Sequence, residues 1–270
     1  MELRRFGRSG MMVPCVGMGT WRTFDVRGRE VELVRHQIVG EALAAGANFF
    51  DSSPMYGQAE RVLGAALDGR RDRALVATKV WAKSLREGRQ QIQRALEWFG
   101  GLVEFYQIHN LMAWETHLPV LEELKATGSV RTLGATHYGV SAFPNLLRLM
   151  ETGRIDGIQI PFSALTRQAE AEVLPRAEAL GLGVVGMMPF EQGDLTKRSP
   201  DAADLKPFES YGVTTWAQVL LKWILSDPRV HVVIPATSRP GRMTENAAAG
   251  SPPWFPPDLR ERVARLASRR

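Results

Sequence analysis

The stretch Ala47-Asn-Phe-Phe-Asp51-Ser-Ser-Pro-Met-Tyr56 begins with an apolar run and ends with an acid and a phenol five residues apart. A short apolar run that ends in polar residues is typical of a buried strand. Similar runs occur at residues 16–19, 74–79, 103–109, 132–136, 157–161, 183–188 and 230–235. The sequence therefore predicts eight strands, of which residues 47–51 form the second.

Segments with helical periodicity separate these strands, as Ile92, Leu96 and Phe99 illustrate. Most successive runs begin about 25–33 residues apart, the length of a strand, a helix and two connections. Eight such units in about 250 residues predict an α/β fold, a (β/α)8 TIM barrel. An open dinucleotide-binding sheet is disfavoured, because the first strand ends in Gly17-Met-Gly19-Thr-Trp-Arg22, which lacks the third glycine of Gly-x-Gly-x-x-Gly.

Two segments depart from the repeat. Residues 2–13 carry Phe6-Gly-Arg-Ser-Gly10 between short extended pieces, which predicts an N-terminal β-hairpin that closes the bottom of the barrel. Residues 188–230 form an unusually long connection, interrupted by Gly193, Pro200 and Pro207, and we expect a lid over a ligand there. We expect residues 1–270 to form a single domain.

Composition narrows the classes of function. With 44% hydrophobic residues, the 270-residue chain can bury a large core, and no apolar run has the length of a membrane span. The net charge of +5 is spread along the chain, which does not indicate a nucleic-acid-binding surface. The single cysteine, Cys15, excludes an internal disulfide and a cysteine-cluster metal centre. We expect a cytoplasmic monomer that binds a small molecule, neither nucleic acid nor membrane.

Polar side chains lie at the carboxyl ends of three neighbouring predicted strands. Asp51 and Tyr56 follow the second strand, Lys79 ends the third and His109 ends the fourth. Because barrel enzymes work at this face, we expect the four residues to meet there. A phenol with a pKa near 10 rarely ionises, so we expect the Lys79 ammonium, held by Asp51, to lower the pKa of Tyr56. With His109 bonded to a carbonyl, the set suits protonation of an oxygen that has just accepted a hydride.

Other chemistries fit the sequence less well. Neither His-x-His nor His-Glu-x-x-His occurs among the five histidines, which are His36, His109, His117, His137 and His231. Lys79 would repel a cation, so we expect no metal site. The Gly-x-Ser-x-Gly motif of serine hydrolases does not occur.

These residues lie in blocks that resemble the aldo-keto reductase family over about Leu3 to Gly250. The signature block of that family is similar to Phe50-Asp51-Ser-Ser-Pro-Met-Tyr56-Gly-Gln-Ala-Glu60-Arg-Val-Leu-Gly64. The blocks that carry its catalytic lysine and histidine are similar to Ala77-Thr-Lys79-Val and Gln107-Ile-His109. Its cofactor-binding end is similar to Ile234-Pro235 followed by Arg242-Met-Thr-Glu245-Asn246.

The resemblance implies a (β/α)8 barrel that binds NADPH across its C-terminal face and transfers hydride to an aldehyde or ketone. It implies Tyr56 as proton donor, Lys79 and Asp51 as the residues that tune it, and His109 as the residue that orients the carbonyl. At the nicotinamide end, the implied cofactor contacts are Thr20, Thr136, His137, Gln159 and Met187.

At the adenine end, the resemblance implies a 2′-phosphate site and an adenine site. The implied residues are Thr237, Ser238 and Arg242 for the phosphate, and Glu245 and Asn246 for the adenine. Because a guanidinium can bind a phosphate through two hydrogen bonds, Arg242 favours NADPH over NADH.

The sequence departs from the family pattern at three cofactor positions. Met187 stands where many members place an aromatic ring, His137 replaces the usual asparagine, and Ala236 stands where some members have a phosphate-binding lysine. These changes bear on cofactor affinity and on the strength of the NADPH preference.

The substrate pocket is expected to be open. Aromatic residues after strands 1, 3 and 4 either form its wall or cap the barrel; they are Trp21, Phe24, Trp81 and Trp114. A wall of this kind, with Trp21 and Trp81 foremost, suits aromatic or apolar carbonyl compounds.

Two other functions remain open. An NADPH-binding regulatory subunit with little turnover would keep the barrel and the cofactor, and Met187 and His137 are the residues that favour it. A lyase or isomerase would use Lys79 to form a Schiff base, but a pairing with Asp51 opposes this use.

Overall fold

The computed structural model describes residues 1–269; Arg270, the last residue of the predicted domain, lies outside them. Two strands form an antiparallel N-terminal hairpin, β1 (Leu3–Arg5) and β2 (Met12–Pro14). Eight more form one parallel sheet in sequence order: β3 (Met18–Gly19), β4 (Phe49–Asp51), β5 (Leu75–Val80), β6 (Val103–His109), β7 (Val130–Thr136), β8 (Gly157–Pro161), β9 (Gly183–Met187) and β10 (Val232–Val233).

Two isolated bridges close this sheet into a barrel. Val16 pairs with Val233 and Gly19 pairs with Ala236, both in the parallel sense, so the first and last strands meet. The predicted (β/α)8 TIM barrel is confirmed. β3 and β10 are shorter than the predicted runs 16–19 and 230–235, because the outer residues of these runs form isolated bridges and not a continuous ladder.

Helices connect the strands and cover the barrel. They are α1 (Arg29–Ala44), α2 (Ala59–Ala66), α3 (Leu85–Trp98), α4 (Trp114–Ala126), α5 (Phe143–Glu151), α6 (Val173–Ala179), α7 (Ala202–Leu205), α8 (Trp216–Leu225), α9 (Arg242–Ala247) and α10 (Pro257–Ser268). Local sequence determines where several begin. The Ser84 side chain caps α3, and Thr215 forms a capping box with Gln218 at α8. Among residues 1–269, no helix combines the length and apolar character needed to cross a membrane.

The strands separate an inner core from an outer core. Phe49, Phe105 and Val185 pack inside the barrel, whereas Tyr106 and Ile108 pack between the barrel and its helices. This alternation follows from the period of two along a strand. Residues two positions beyond Phe49 and Phe105 therefore point to the barrel interior, nearer its carboxyl end.

The N-terminal hairpin closes the barrel at the amino ends of the strands, as predicted. Phe6 has no exposed surface, and its ring meets that of Phe105 edge to face, with centroids 5.1 Å apart. A Cβ atom at Gly157 or Gly183 would lie only 2.6 or 2.5 Å from the Phe6 ring. Glycine at these two positions leaves space for the Phe6 side chain, which plugs the amino end of the barrel.

The long connection between β9 and α8 contains helical turns. Two 3-10 segments, Glu191–Thr196 and Lys206–Tyr211, flank α7, and Trp216 Nε1 donates to the Leu195 carbonyl at 2.8 Å. Arg22, after β3, donates to Gln192 Oε1 at 3.2 Å, which joins the connection to the loop after β3. Its function as a lid stays a prediction.

Candidate active site

Asp51, Tyr56, Lys79 and His109 lie together at the carboxyl end of the barrel. Lys79 Nζ is 2.7 Å from Asp51 Oδ1 and also donates to the Ser52 carbonyl at 2.7 Å. The same ammonium lies 5.2 Å from the centre of the Tyr56 ring. The Tyr56 and His109 rings stand edge to face, with centroids 5.8 Å apart. The structure thus brings together the four residues that the sequence places on three strands.

A single 3-10 turn, Pro54–Tyr56, carries Tyr56 from the end of β4 back over the barrel. Ser53 caps this turn by accepting a hydrogen bond from Met55 N, and Pro54 occupies its first position. Gly57 ends the turn with φ of 62°. A Cβ atom there would lie 2.2 Å from Asp25 Oδ1, so only glycine fits between the turn and the loop after β3.

The Lys79–Asp51 pair is buried within the protein. Burial lowers the pKa of Lys79 and raises that of Asp51, while the attraction between the two charges opposes both shifts. Hydrogen bonds from Gln159 and Gln107 further stabilise the Asp51 carboxylate and act to lower its pKa. Each charge depends on the other to remain ionised in this environment.

The pKa of Tyr56 is raised well above its ordinary value of 10.0, first by burial and then by the negative charge of Asp51. The expectation that Lys79 lowers this pKa is therefore wrong for this structure. The reason is that Asp51 offsets the ammonium charge, and enclosure disfavours a phenolate. Tyr56 is a neutral phenol that holds its proton at neutral pH.

His109 is a neutral imidazole. Burial, then the positive charge of Lys79, then His137 lower its pKa to about 2. Its Nδ1 atom lies 2.8 Å from Ser53 Oγ. A neutral histidine carries a hydrogen on only one of its two ring nitrogens. The contact made by Nδ1 therefore determines which nitrogen can donate to a substrate.

Ser53 and Gln107 belong to the site but were not predicted. Gln107 is fully buried and donates to Gln159 Oε1 at 3.0 Å, and its own Oε1 has no hydrogen-bond partner within residues 1–269. The period of two along β6 could have identified Gln107, because it lies two residues before His109. No local pattern could have identified the contact of Ser53, because His109 is 56 residues away in sequence.

The residues predicted at the nicotinamide end differ in position and burial. Thr136 is buried at the end of β7 and Gln159 is buried within β8. Met187 is half-buried, with its sulfur 3.6 Å from Gln159 Nε2. His137 lies at the mouth and stacks on Tyr138. Thr20 has no exposed surface, and its hydroxyl contacts the Asp51 carbonyl at 2.9 Å. The Thr20 hydroxyl thus contacts the end of β4, and its contact with the cofactor stays a prediction.

The Gln107–Gln159 pair has the chemistry of a site for a primary amide. Within residues 1–269, Gln107 Oε1 is an acceptor without a partner, and Gln159 Nε2, which also bonds to Asp51, makes a weak contact with the Met187 sulfur. A nicotinamide carboxamide offers one acceptor and two donors, so the residues present fit that group. Within the described part of the chain, no cluster of three or more His, Cys, Asp or Glu could hold a metal ion.

The residues predicted at the adenine end lie together after β10, on and before α9. Arg242 is exposed and forms an ion pair with Glu245, which also accepts from Thr215 Oγ1 at 2.9 Å. Thr237 accepts from Arg239 N, Ser238 is exposed and Asn246 is buried. Glu41 of α1 accepts from Gly241 N at 2.7 Å, so a carboxylate lies beside the predicted phosphate site.

The aromatic residues predicted at the pocket differ in exposure. Trp21 is 39% exposed at the mouth, with the Arg22 guanidinium 5.0 Å from its ring. Trp81 is half-buried, and the Gln91 side chain holds both its backbone N–H and its carbonyl at 2.8 Å. Phe24 is fully buried in the outer core and cannot form the pocket wall, and Trp114 packs against the same core. Trp21 and Trp81 remain the residues predicted to form the pocket wall.

Comparisons with known proteins show which family this chain is similar to. The family model described as the Aldo/keto reductase family matches residues 15–259. L-galactose dehydrogenase of Arabidopsis thaliana is 28% identical over 92% of this chain and 88% of that protein. A probable voltage-gated potassium channel subunit beta of Oryza sativa is 24% identical over 92% of this chain and 91% of that protein.

Solved structures share the fold. An aldo-keto reductase from Klebsiella pneumoniae, crystallised in complex with NADPH, superposes with a TM-score of 0.80 at 20% identity. The similarity covers 98% of this chain and 95% of that one.

Proposed function

Since the chain belongs to the aldo/keto reductase family, an oxidoreductase family, we propose that it reduces aldehydes or ketones to alcohols with NADPH. The observation that carries the proposal is the position of the Tyr56 phenol between His109 and the Lys79–Asp51 ion pair. These groups lie at the barrel end where a carbonyl compound can enter past Trp21 and Trp81.

Bound NADPH supplies the hydride that the carbonyl carbon accepts. Tyr56 donates its proton to the carbonyl oxygen, because a phenol with a raised pKa is protonated at neutral pH and an alkoxide is a stronger base. His109, neutral and nearly enclosed, holds that oxygen beside Tyr56 through a ring N–H.

Lys79 stabilises the phenolate that remains after proton transfer. Within the described residues, its ammonium donates to Asp51 and to the Ser52 carbonyl, so one of its three N–H groups remains for the phenolate. Asp51 keeps the ammonium charged and in place although it is buried. The pair therefore acts when negative charge develops on Tyr56.

Residues of this chain would hold the cofactor at both ends. The Gln159 amide, with Thr136 and His137 beside it, would bind the nicotinamide carboxamide, and Met187 would lie against the ring. Arg242 is half-exposed, and its guanidinium would leave its ion pair with Glu245 to bind the 2′-phosphate. Thr237 and Ser238 would be further donors to that phosphate. Glu245 and Asn246 would contact the adenine. The crystal structure of the Klebsiella pneumoniae relative with NADPH supports this choice of cofactor.

A direct test is to mix the protein with NADPH and a panel of aromatic aldehydes and follow cofactor absorbance. The proposal requires turnover on at least one aldehyde, and Tyr56→Phe should abolish most of it. If no aldehyde or ketone is turned over and Tyr56→Phe behaves like the wild type, the proposal is wrong.

A regulatory subunit is the second candidate function. The similarity to a probable channel subunit beta favours it, together with Met187 and His137 in the cofactor site. Tight NADPH binding by calorimetry, negligible turnover and recovery of a partner protein would support it. Rapid turnover would exclude it.

A Schiff-base lyase or isomerase is less compatible with the site. The amine of Lys79 would have to lose its proton, and Asp51 at 2.7 Å opposes that loss. Borohydride trapping of a substrate on Lys79 would be needed to support this function.

We also propose that the protein acts in the cytoplasm as a monomer. The thiol of Cys15 is buried, and burial raises its pKa to about 12, so it suits a structural role in a reducing compartment. Analytical ultracentrifugation would test the monomer, with a stable dimer as the contrary result.

A further inference from the structure

Ser53 is a buried hydroxyl between the two residues that would contact a carbonyl oxygen. It has no exposed surface and lies between the end of β4 and the turn that carries Tyr56. Its Oγ atom is 2.8 Å from His109 Nδ1 and accepts from Met55 N at 3.2 Å. Its backbone carbonyl accepts from Tyr56 N at 3.0 Å.

The hydrogen-bond count at Ser53 determines which His109 nitrogen carries the proton. The serine hydroxyl has one hydrogen to donate and two lone pairs. If His109 Nδ1 donated to Oγ, the serine would accept twice, and its own buried hydrogen would have no acceptor among residues 1–269, which is unfavourable. If the serine donates to Nδ1, every group in the contact is satisfied. The second arrangement leaves the hydrogen of the neutral imidazole on Nε2.

The surroundings of His109 favour the same arrangement. The charged and titratable groups near its ring are Lys79 and His137, both of which disfavour a doubly protonated imidazolium, and the Tyr56 phenol. His109 therefore has a single ring hydrogen, and its position depends on the contact at Nδ1.

We propose that Ser53 is a positioning residue that fixes His109 in the form with its hydrogen on Nε2. That hydrogen is then available to the substrate carbonyl oxygen, beside the hydroxyl of Tyr56. The use of the Nε2 hydrogen rests on the proposed carbonyl reduction, whereas the proton position itself does not.

Ser53 also links the two residues mechanically. Its hydroxyl caps the Pro54–Tyr56 turn and binds His109, so one side chain sets the position of Tyr56 relative to the imidazole. A change at Ser53 should therefore affect kcat more than substrate affinity, because the alignment of both donors matters most in the transition state.

The test is a long-range ¹H–¹⁵N correlation spectrum of the histidine rings at neutral pH, with the His109 signals assigned by loss in His109→Asn. The wild type should show His109 with an unprotonated Nδ1 and a protonated Nε2. Ser53→Ala should shift His109 towards a mixture of the two neutral forms, and Ser53→Thr should restore the wild-type pattern. Ser52→Ala removes an equally buried hydroxyl that contacts Thr20, not His109, and should leave the His109 signals unchanged.

Two results would overturn the proposal: a wild-type His109 protonated on Nδ1, or an identical His109 pattern in Ser53→Ala and wild type. The first needs no change at Ser53, so the test stands even if Ser53→Ala fails to fold.

A kinetic measurement separates this inference from the proposed function. With an aldehyde substrate, Ser53→Ala should lower kcat by about two- to tenfold, the effect of one hydrogen bond, with KM changed less and with recovery in Ser53→Thr. If the wild type turns over no carbonyl compound but the spectra follow the expected pattern, the carbonyl reduction fails and the role of Ser53 stands. An equal loss of kcat in Ser53→Thr and Ser53→Ala would contradict a role for the hydroxyl.

Discussion

Replacing Asp51 with asparagine should destabilise the protein by leaving the Lys79 ammonium buried without a counter-charge. Lys79 has no exposed surface, and its partner lies 2.7 Å away. Breaking a buried pair by removing one charge typically costs about 3–5 kcal/mol. The new asparagine side chain would keep an oxygen for Nζ, and the Ser52 carbonyl remains, so we expect a loss near the lower limit, about 3 kcal/mol.

Urea denaturation, followed by circular dichroism, measures this loss. With an m-value of about 3 kcal/mol per molar urea, a loss of about 3 kcal/mol lowers the midpoint by about 1 M. The exposed pair Arg154–Glu122, with N and O 2.7 Å apart, is the matched control. Glu122→Gln should change stability by at most about 1 kcal/mol, because water screens that pair.

A double-mutant cycle shows whether the effect belongs to the pair. Lys79→Met also leaves one partner alone, whereas Asp51→Asn with Lys79→Met leaves neither charge buried. The double variant should therefore be more stable than the sum of the single losses predicts, by about 2 kcal/mol or more. If the two single-variant losses of stability add up to the double-variant loss within about 0.5 kcal/mol, the claim that the two charges depend on each other is refuted.

Three further changes test other parts of the structure. Arg242→Ala should raise KM for NADPH about tenfold in steady-state assays and change KM for NADH less than about twofold, because only NADPH carries the 2′-phosphate; equal effects on both would contradict the predicted phosphate contact. The pKa of Glu60 is raised by burial from 4.5 to about 7, so the folded state favours the protonated acid and loses stability as pH rises from about 4.5 through about 7. Glu60→Gln should remove that decline in urea midpoints, and an unchanged pH profile would show that Glu60 is not its source. Phe6→Ala should destabilise the protein by about 3–5 kcal/mol, since it removes the plug against Phe105; a loss below about 1 kcal/mol in thermal or urea unfolding would mean that the hairpin is not part of the core.

The barrel could be predicted from sequence because its strands are buried on both sides. Each apolar run stops where the strand reaches the mouth, so Asp51, Lys79 and His109 mark the carboxyl ends of β4, β5 and β6. The bounds of β3 and β10 were predicted less well, because isolated bridges extend these two-residue strands. Hydrogen-bond pairing across the barrel seam depends on strand tilt, which a run of apolar residues does not show.

The positions of the four central residues could be predicted, but their electrostatics could not. Sequence places Lys79 near Tyr56 and predicts a lowered pKa for the phenol, whereas burial and Asp51 raise it. The direction of the Tyr56 pKa shift depends on how deeply the phenol is buried and on how far Asp51 neutralises the Lys79 ammonium. Both depend on the three-dimensional structure. Thr20 shows the same limit, because its place beside the cleft does not reveal that its hydroxyl points to the Asp51 carbonyl.

The most direct test of carbonyl reduction uses NADPH that carries deuterium at the transferred position of the nicotinamide. The alcohol formed from an aromatic aldehyde should contain one deuterium on the former carbonyl carbon, by mass spectrometry and NMR. Tyr56→Phe should form the same product with kcat lowered by about 10²–10⁴-fold, the range for loss of a general acid. An alcohol without deuterium at that carbon, or equal kcat values for the two proteins, would contradict hydride transfer with Tyr56 as proton donor.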